Sequence, residues 1–354
     1  MKGVRKMYDL HSPMYRFYDS YVRLEEKDRT KMRGYKKKNI DRLGEGLKKI
    51  ECDIPFTTCV HGSYAMWTMV QHPENDYDID IAVIFDKNDL PGSALEARQL
   101  VRDAMCAVGY NFKTPPEAKP NAVAITYEEG YHVDLPVYRE YMDDFGRRII
   151  EHAGAEWTKR DPVDITEWFK NEVATKSPST TYATVKEHQM RRIVRLLKMF
   201  TKSRAASNLP GGLLLTVLTS ECYAPDAQRD DKALYNTVKA ISSRLNHQIE
   251  IYNPVLPDVS LTYKDSRRNQ VRRLKEQLDI VLPELEPICN QECSELDAYK
   301  AWNIFFQHEY WTTSVKSLEM RMAGSRFVSS TGFLSNIETP NSTPSLPHQF
   351  FGDE

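Results

Sequence analysis

His61-Gly62-Ser63 is followed, after fourteen intervening residues, by Asp78-Ile79-Asp80 at the head of an apolar run. Aspartates at i and i+2 on a strand project to the same face, while Ile79, Ile81 and Val83 turn the other way into a core. Carboxylates held side by side repel, so an apolar strand seldom pairs them unless a cation bridges them. The Gly62-Ser63 turn can present backbone N–H groups and a hydroxyl to a phosphate. A second strand, Tyr131 to Tyr138, carries Asp134 among apolar neighbours. Three strand carboxylates with a phosphate-gripping turn predict a two-metal nucleotidyl-transfer site.

Those side chains need a sheet to hold them, and the patterning supplies one. Helical periodicity runs from about Tyr15 to Ile50 and predicts one helix near 13–26 and a longer one near 27–50. Thr57 to Val60 reads as a strand, and Gly62 to Met69 as a helix. Asp76 to Phe85 reads as a strand, and Ser93 to Val108 as a helix in which Ser93 and Glu96 form a capping box. Ala122–Tyr127 and His132–Tyr138 read as a hairpin around Glu128-Glu129-Gly130. From Ser177 the pattern is helical: 184–202, 213–222, 232–252, 266–281 and 293–306. From Phe333 the chain is rich in Asn, Thr, Ser and Pro, and disorder is expected there.

The 354 residues exceed one ordinary core, so two lobes are expected. With 41% apolar and 28% charged residues the composition is that of a soluble globular protein, and no run approaches a membrane span. Six cysteines in a chain of this size point to reduced thiols in a cytoplasm. Cys289 and Cys293 lie one helical turn apart ahead of His308, but a fourth ligand at a zinc spacing is missing, and they read as ordinary thiols. Residues 1–50 carry fifteen Lys and Arg against seven Asp and Glu, with Lys36-Lys37-Lys38 the strongest local anion contact. Interleaved acids make a solvated helix face the better reading of this segment than a polyanion groove.

The order Gly62-Ser63, Asp78-x-Asp80, Asp134 resembles the signature of the polymerase-β-like nucleotidyltransferase superfamily. HGSYAMWTMVQHPENDYDIDIAVIF (61–85), FKTPPEAKPNAVAITYEEGYHVDLPVY (112–138) and RRIVRLLKMF (191–200) are similar to bacterial cGAS/DncV-like nucleotidyltransferases (CD-NTases) of CBASS antiphage defence. The likeness spans about Thr57 to Cys222. It implies an α+β fold: a nucleotidyltransferase lobe with a mixed sheet, a C-terminal helical lobe, and the active site in the cleft between them. The corresponding division is 1–176 for the core with its N-terminal helices, 177–332 for the helical domain and 333–354 for the tail.

The same resemblance implies roles for individual residues. Asp78, Asp80 and Asp134 would be catalytic and would bind two Mg2+ ions, with Mn2+ as an alternative. Gly62 and Ser63 would grip the donor triphosphate, and Lys198 would face its phosphates; the other reading of Lys198 is a solvated lysine on an arginine-rich helix. Where the family often has a serine contacting phosphate, this chain has Pro210-Gly211-Gly212, so that contact falls either to backbone N–H groups at Gly212 or to Ser220. Tyr64, Tyr182 and Tyr223 are candidates for stacking on the donor base, although packing accounts for each more simply. His61 and Trp67 read as core or rim residues, and His132 as a rim residue.

The implied activity joins two or three ribonucleoside triphosphates into a cyclic oligonucleotide second messenger with release of pyrophosphate. The rivals are nucleotide addition to RNA or protein, and a catalytically silent nucleotide sensor. Implied partners are CBASS accessory proteins, either regulatory or ubiquitin-transfer-like ones conjugating the tail at Glu354, and an effector that recognises the product. A zinc insertion for DNA is not seen, so neither a DNA activator nor a membrane is expected, and the location implied is the bacterial cytoplasm.

Overall fold

The computed structural model describes residues 7–72, 77–108, 112–179, 188–289 and 292–324, and the backbone of 326–328, 334–335 and 343–345. The chain divides into two compact units, His11–Lys275 and a second formed by Met1–Leu10 with Glu276–Glu354.

The larger unit opens with α1 (His11–Phe17), a π-helical turn (Tyr18–Val22) and the long α2 (Glu26–Lys49). α1 buries Pro13, Met14 and Phe17, and the π-turn that follows it ends at Val22, short of the helix predicted to residue 26. α2 buries Met32, Tyr35, Leu43 and Leu47 on one stripe. Asn39 also lies on that stripe, and its amide is satisfied there: it donates to the Tyr35 carbonyl at 2.8 Å and accepts from the Tyr127 hydroxyl at 3.0 Å.

β1 (Phe56–His61) leads into a single turn of helix, α3 (Gly62–Ala65), then β2 (Tyr77–Asp86), α4 (Ala94–Ala107) and strands β3 (Glu117–Ala118), β4 (Val123–Thr126), β5 (Tyr131–Leu135), β6 (Val137–Met142), β7 (Arg148–Ala153) and β8 (Trp157–Lys159). Together these strands make one eight-stranded mixed sheet with β2 at its centre. The predicted 132–138 strand is divided by Pro136, which has no N–H to give a ladder. Its two halves keep the same offset along β2, Asp80 opposite Asp134 and Val83 opposite Val137, and Val83 N–H donates to the Pro136 carbonyl at 3.0 Å. β1 runs antiparallel to β2 and sets His61 opposite Asp80.

Alternation along β2 decides what each face of the sheet does. Ile79, Ile81, Val83 and Phe85 are buried with Met32, Leu43 and Leu47 of α2 and Ala97, Val101 and Met105 of α4. The opposite face carries Asp78 and Asp80, then a small apolar patch of Ala82, Ile84, Tyr138 and Ile150. The Ser93 hydroxyl accepts from Glu96 N–H at 3.1 Å and fixes the start of α4 as predicted.

Beyond the sheet, α5 (Asp164–Lys176), α6 (Gln189–Lys202), α7 (Gly212–Cys222) and α8 (Asp230–His247) pack as helices, followed by a short β9–β10 pair (Tyr252–Asn253, Leu256–Ser260) and α9 (Asp265–Leu285). α8 stops five residues before the predicted Tyr252, and β7, β8 and α5 occupy a stretch the pattern left unassigned. α6 starts at Gln189; the preceding predicted turns fall in 180–187, outside the described residues. Buried Arg192 makes a two-bond pair with buried Asp230 at 2.6 and 2.8 Å, joining α6 to α8.

In the second unit, Ser294 and Asp297 form a reciprocal capping box that starts α10 (Glu295–Phe306). α11 (Glu309–Gly324), which the pattern missed, places Trp311 in stacked contact with Phe306 at 5.8 Å. β11 (Arg326–Val328) pairs with β12 (Leu334–Ser335) and β13 (Thr343–Ser345), so three described segments of the expected disordered region and its approach are strands. Glu354 lies outside the described residues. The six cysteines are unbridged, and no helix among the described residues is long and apolar enough to cross a membrane.

Candidate active site

His61, Asp80 and Asp134 lie in one row across three adjacent strands, and Asp78 stands two residues before Asp80 on the same face. Burial, with the negative charges of Asp134 and Asp78 added, pushes the Asp80 carboxyl up to about 7; Arg160 acts in the opposite direction. The Asp134 carboxyl is raised by burial and by Asp78, against Lys119 and His132. His132, opposite Asp78 in register, has its Nδ1 3.4 Å from the Thr126 hydroxyl.

Gly62 follows this row with φ +66, a left-handed conformation that favours glycine. A Cβ here would come 2.0 Å from Asp80 Oδ2, so glycine is required both by the backbone and by the carboxylate packed against it. α3 is only four residues long, half the predicted span. The chain leaves it through Trp67 at φ +57, over which the Arg29 guanidinium lies 3.5 Å from the ring centroid. Arg29 also donates to the Tyr64 carbonyl at 3.1 Å, and so secures the whole turn. The Ser63 carbonyl accepts from Thr68 N–H at 3.0 Å. Its hydroxyl has no protein partner among the described residues.

Lys198 reaches the same turn from α6. Its buried ammonium donates to the Thr68 carbonyl at 2.7 Å and to the Thr68 hydroxyl at 3.1 Å. Burial, and then Arg195 and Lys202, pull it down to about 7. A Cβ on Gly212 would sit 3.0 Å from Lys198 Cε, so α7 begins against this side chain. These elements enclose a cavity of about 490 Å3. Gly62, Ser63, Asp78 and Asp80 line it from the sheet and its turn, and Lys198, Lys202 and Gly212 from α6 and α7.

Ser220 is not brought there. It is buried in the last turn of α7, where its hydroxyl donates to Glu172 of α5, a hydrogen-bonded partner that the spacing could not reveal. Asp134 belongs to the carboxylate row but not to the cavity wall. Tyr64 stacks with Arg29 and Tyr223 donates to Gln189 at 2.8 Å, so neither lines the cavity; Tyr182 lies outside the described residues. Tyr77 and Tyr138 line it instead, together with Arg160 and Thr166, none of which sequence reasoning singled out. Tyr77 and Tyr138 could have been found from the strands, since Tyr77 precedes Asp78 on β2 and Tyr138 closes the predicted strand that carries Asp134; Arg160 and Thr166 carried no such signal.

Residues 57–138 match the family described as Cyclic GMP-AMP synthase DncV-like, nucleotidyltransferase domain. These residues form a DncV-like nucleotidyltransferase domain. Its row of acids and its glycine-serine turn all fall inside the matched span, whereas Lys198 and Gly212 lie beyond it. In fold, the chain is similar to E. coli MS115-1 CdnC with ATP (14% identity, TM-score 0.63, covering 86% of this chain and 99% of that one). It is similar to Vibrio cholerae DncV cyclic AMP-GMP synthase with the linear intermediate 5′ pppA(3′,5′)pG (14%, 0.64, 86% and 97%). A third similar structure is the E. coli MS115-1 CdnC:HORMA-deltaN complex (15%, 0.61, 84% and 96%).

The nucleotidyltransferase domain has the donor chemistry of a hard-cation site: three carboxylates on one face, with Asp80 raised by burial and by the two neighbouring acids. Among the described residues, no three His, Cys, Asp or Glu side chains converge closely enough to hold a metal ion as they stand. The three carboxylates share a face without closing on one point.

Proposed function

We propose that this protein condenses nucleoside triphosphates into a cyclic di- or trinucleotide, releasing pyrophosphate at each bond. The observation that carries this reading is the Asp78–Asp80–Asp134 row beside the Gly62-Ser63 turn, on a cavity with a lysine wall. Asp78, Asp80 and Asp134 would hold two Mg2+ or Mn2+ ions, which when bound supply activation of the acceptor hydroxyl and neutralise charge at the α-phosphorus.

The remaining work falls to the chain. Asp80 must lose its proton to serve as a ligand. Ser63 hydroxyl and Lys198 ammonium hold the β- and γ-phosphates, so the pyrophosphate departs toward positive charge as the new P–O bond forms. Gly62 lets the backbone pass close to the phosphates. The apolar patch of Ala82, Ile84 and Tyr138 under the acids limits water access to the α-phosphorus. For closure, the linear intermediate turns over in the cavity and its own hydroxyl attacks a second triphosphate.

An antiphage signalling role is part of the proposal, supported by the family match, and so is a regulatory protein partner, supported by the HORMA complex of the similar CdnC. Pyrophosphate release from a mixture of the four ribonucleoside triphosphates, with and without Mg2+, tests the reaction. Release that depends on the cation and needs no RNA or protein acceptor is expected; release only with such an acceptor would favour a tailing enzyme.

Two further outcomes follow from the electrostatics. Apparent affinity for Mn2+ should rise about tenfold per pH unit below 7 and level off above it, because the cation displaces the Asp80 proton. Calorimetric titration at pH 6, 7 and 8 measures this, and equal affinities at all three values would refute it. Lys198→Met should raise the KM for triphosphate by about 10- to 100-fold, the worth of a charged hydrogen bond. It should also lower the melting temperature, since the Thr68 carbonyl loses its buried donor. A steady-state comparison with a melting curve checks both.

A further inference from the structure

A cyclising enzyme must seat two triphosphates, and Lys198 and Lys202 of α6 account for the grip on one of them. A further part of the cavity lining comes from the link from β8 into α5 and the first turn of α5, and its side chains are arranged for a ligand. Arg160 is exposed on this part of the lining. Among the described residues no carboxylate lies within ion-pair distance of its guanidinium. Its backbone is pinned, with N–H donating to the Ile150 carbonyl at 3.0 Å, and the next turn is fixed by Asp161 Oδ1 accepting from Val163 N–H at 3.0 Å. A fixed backbone with an unengaged planar cation is suited to gripping an incoming anion by two parallel hydrogen bonds.

Thr166 supplies a second, independent sign. It is 4% exposed, lines the same cavity, and its buried hydroxyl has no hydrogen-bond partner among the described residues. A buried hydroxyl without a partner is costly in a native structure, and a polar group of a bound molecule would relieve it. The charge of Arg160 is also felt at Asp80 and at Tyr138, which line the same cavity.

We propose that Arg160, with Thr166 beside it, forms the acceptor wall of the site: the guanidinium pairs with phosphate oxygens of the second nucleotide and sets its hydroxyl toward the carboxylate row. This rests on the reading of the cavity as a nucleotidyl-transfer site. Lys198 and Lys202 serve the donor triphosphate, and Arg160 the acceptor. A lysine at 160 would keep the charge and lose the fork, so it should restore only part of the function.

The test is equilibrium binding of the α,β-methylene triphosphates of the four bases, singly and in pairs, to the intact protein and to Arg160→Ala and Arg160→Lys, each with a melting curve. The intact protein should bind two equivalents. Arg160→Ala should weaken one of them by about 10- to 100-fold and leave the other within twofold, at an unchanged melting temperature. The corresponding nucleosides should bind the weakened site equally in both proteins, since they lack the phosphates. Equal weakening of both sites, no weakening, or a single site that Arg160→Ala alters would each overturn the assignment. Two-site binding that depends on Arg160, in a protein that releases no pyrophosphate, would leave the acceptor wall standing and sink the proposed reaction.

Discussion

Asp78→Ala combined with Asp80→Ala is expected to abolish pyrophosphate release, by at least about a thousandfold, while the protein remains folded. Both side chains sit on the open face of β2, and neither takes part in the core of Ile79, Ile81, Val83 and Phe85. Asp80→Asn separates function from stability more sharply. The Asp80 carboxyl is pushed up to about 7 in the folded protein, above its unfolded value near 4. Stability from this group is therefore fully present at acid pH and is lost as pH rises from about 4 through 7. Without divalent cations, Asp80→Asn should melt higher than the natural protein at pH 8 and show little difference at pH 4. Melting curves at the two pH values, beside the activity assay, check this; a variant less stable at pH 8 would contradict the electrostatic picture.

Gly62→Ala is expected to be nearly as damaging through geometry alone. The left-handed backbone costs an ordinary residue about 1–2 kcal/mol. In addition, the new methyl would lie 2.0 Å from Asp80 Oδ2 and must displace that carboxylate or the turn. Either movement separates the acid row from the Gly62-Ser63 turn. Activity should fall by about a hundredfold or more, with a loss of stability that Gly34→Ala, in open space on α2, does not produce. Full activity in Gly62→Ala would show that the approach of Gly62 to Asp80 has no bearing on function.

Much of the fold was legible because local patterns and tertiary demands coincide. Alternation along Tyr77–Asp86 predicts which side chains enter the core, and the same alternation puts both acids on the other face. The mixed sheet followed because three strands and their turns each carry clear signals. Where prediction failed, the cause lies far away in the chain. α3 ends after one turn because Arg29 stacks on Trp67 from thirty-eight positions upstream, although the sequence from Gly62 to Met69 is apolar enough to continue a helix. The 132–138 strand is divided by Pro136, a local signal that could have been used.

Site residues sort in the same way. Gly62 and the acids are bound to their positions by local backbone requirements, so spacing alone brings them into view. Ser220 depended on a helix-to-helix contact: its hydroxyl is taken by Glu172, forty-eight positions earlier. Arg160 escaped notice because a link between a three-residue strand and a helix carries no periodicity, and Thr166 because the pattern leaves α5 unassigned. Their arrangement around the cavity becomes visible only when β8 and α5 are placed beside α6.

The most direct measurement is to incubate the purified protein with Mg2+ and all four ribonucleoside triphosphates, treat the mixture with phosphatase, and identify surviving nucleotides by mass spectrometry. The account predicts a phosphatase-resistant cyclic di- or trinucleotide, absent when Asp78 and Asp80 are replaced by alanine. Linear products alone, or a cyclic product that persists in the double variant, would contradict it.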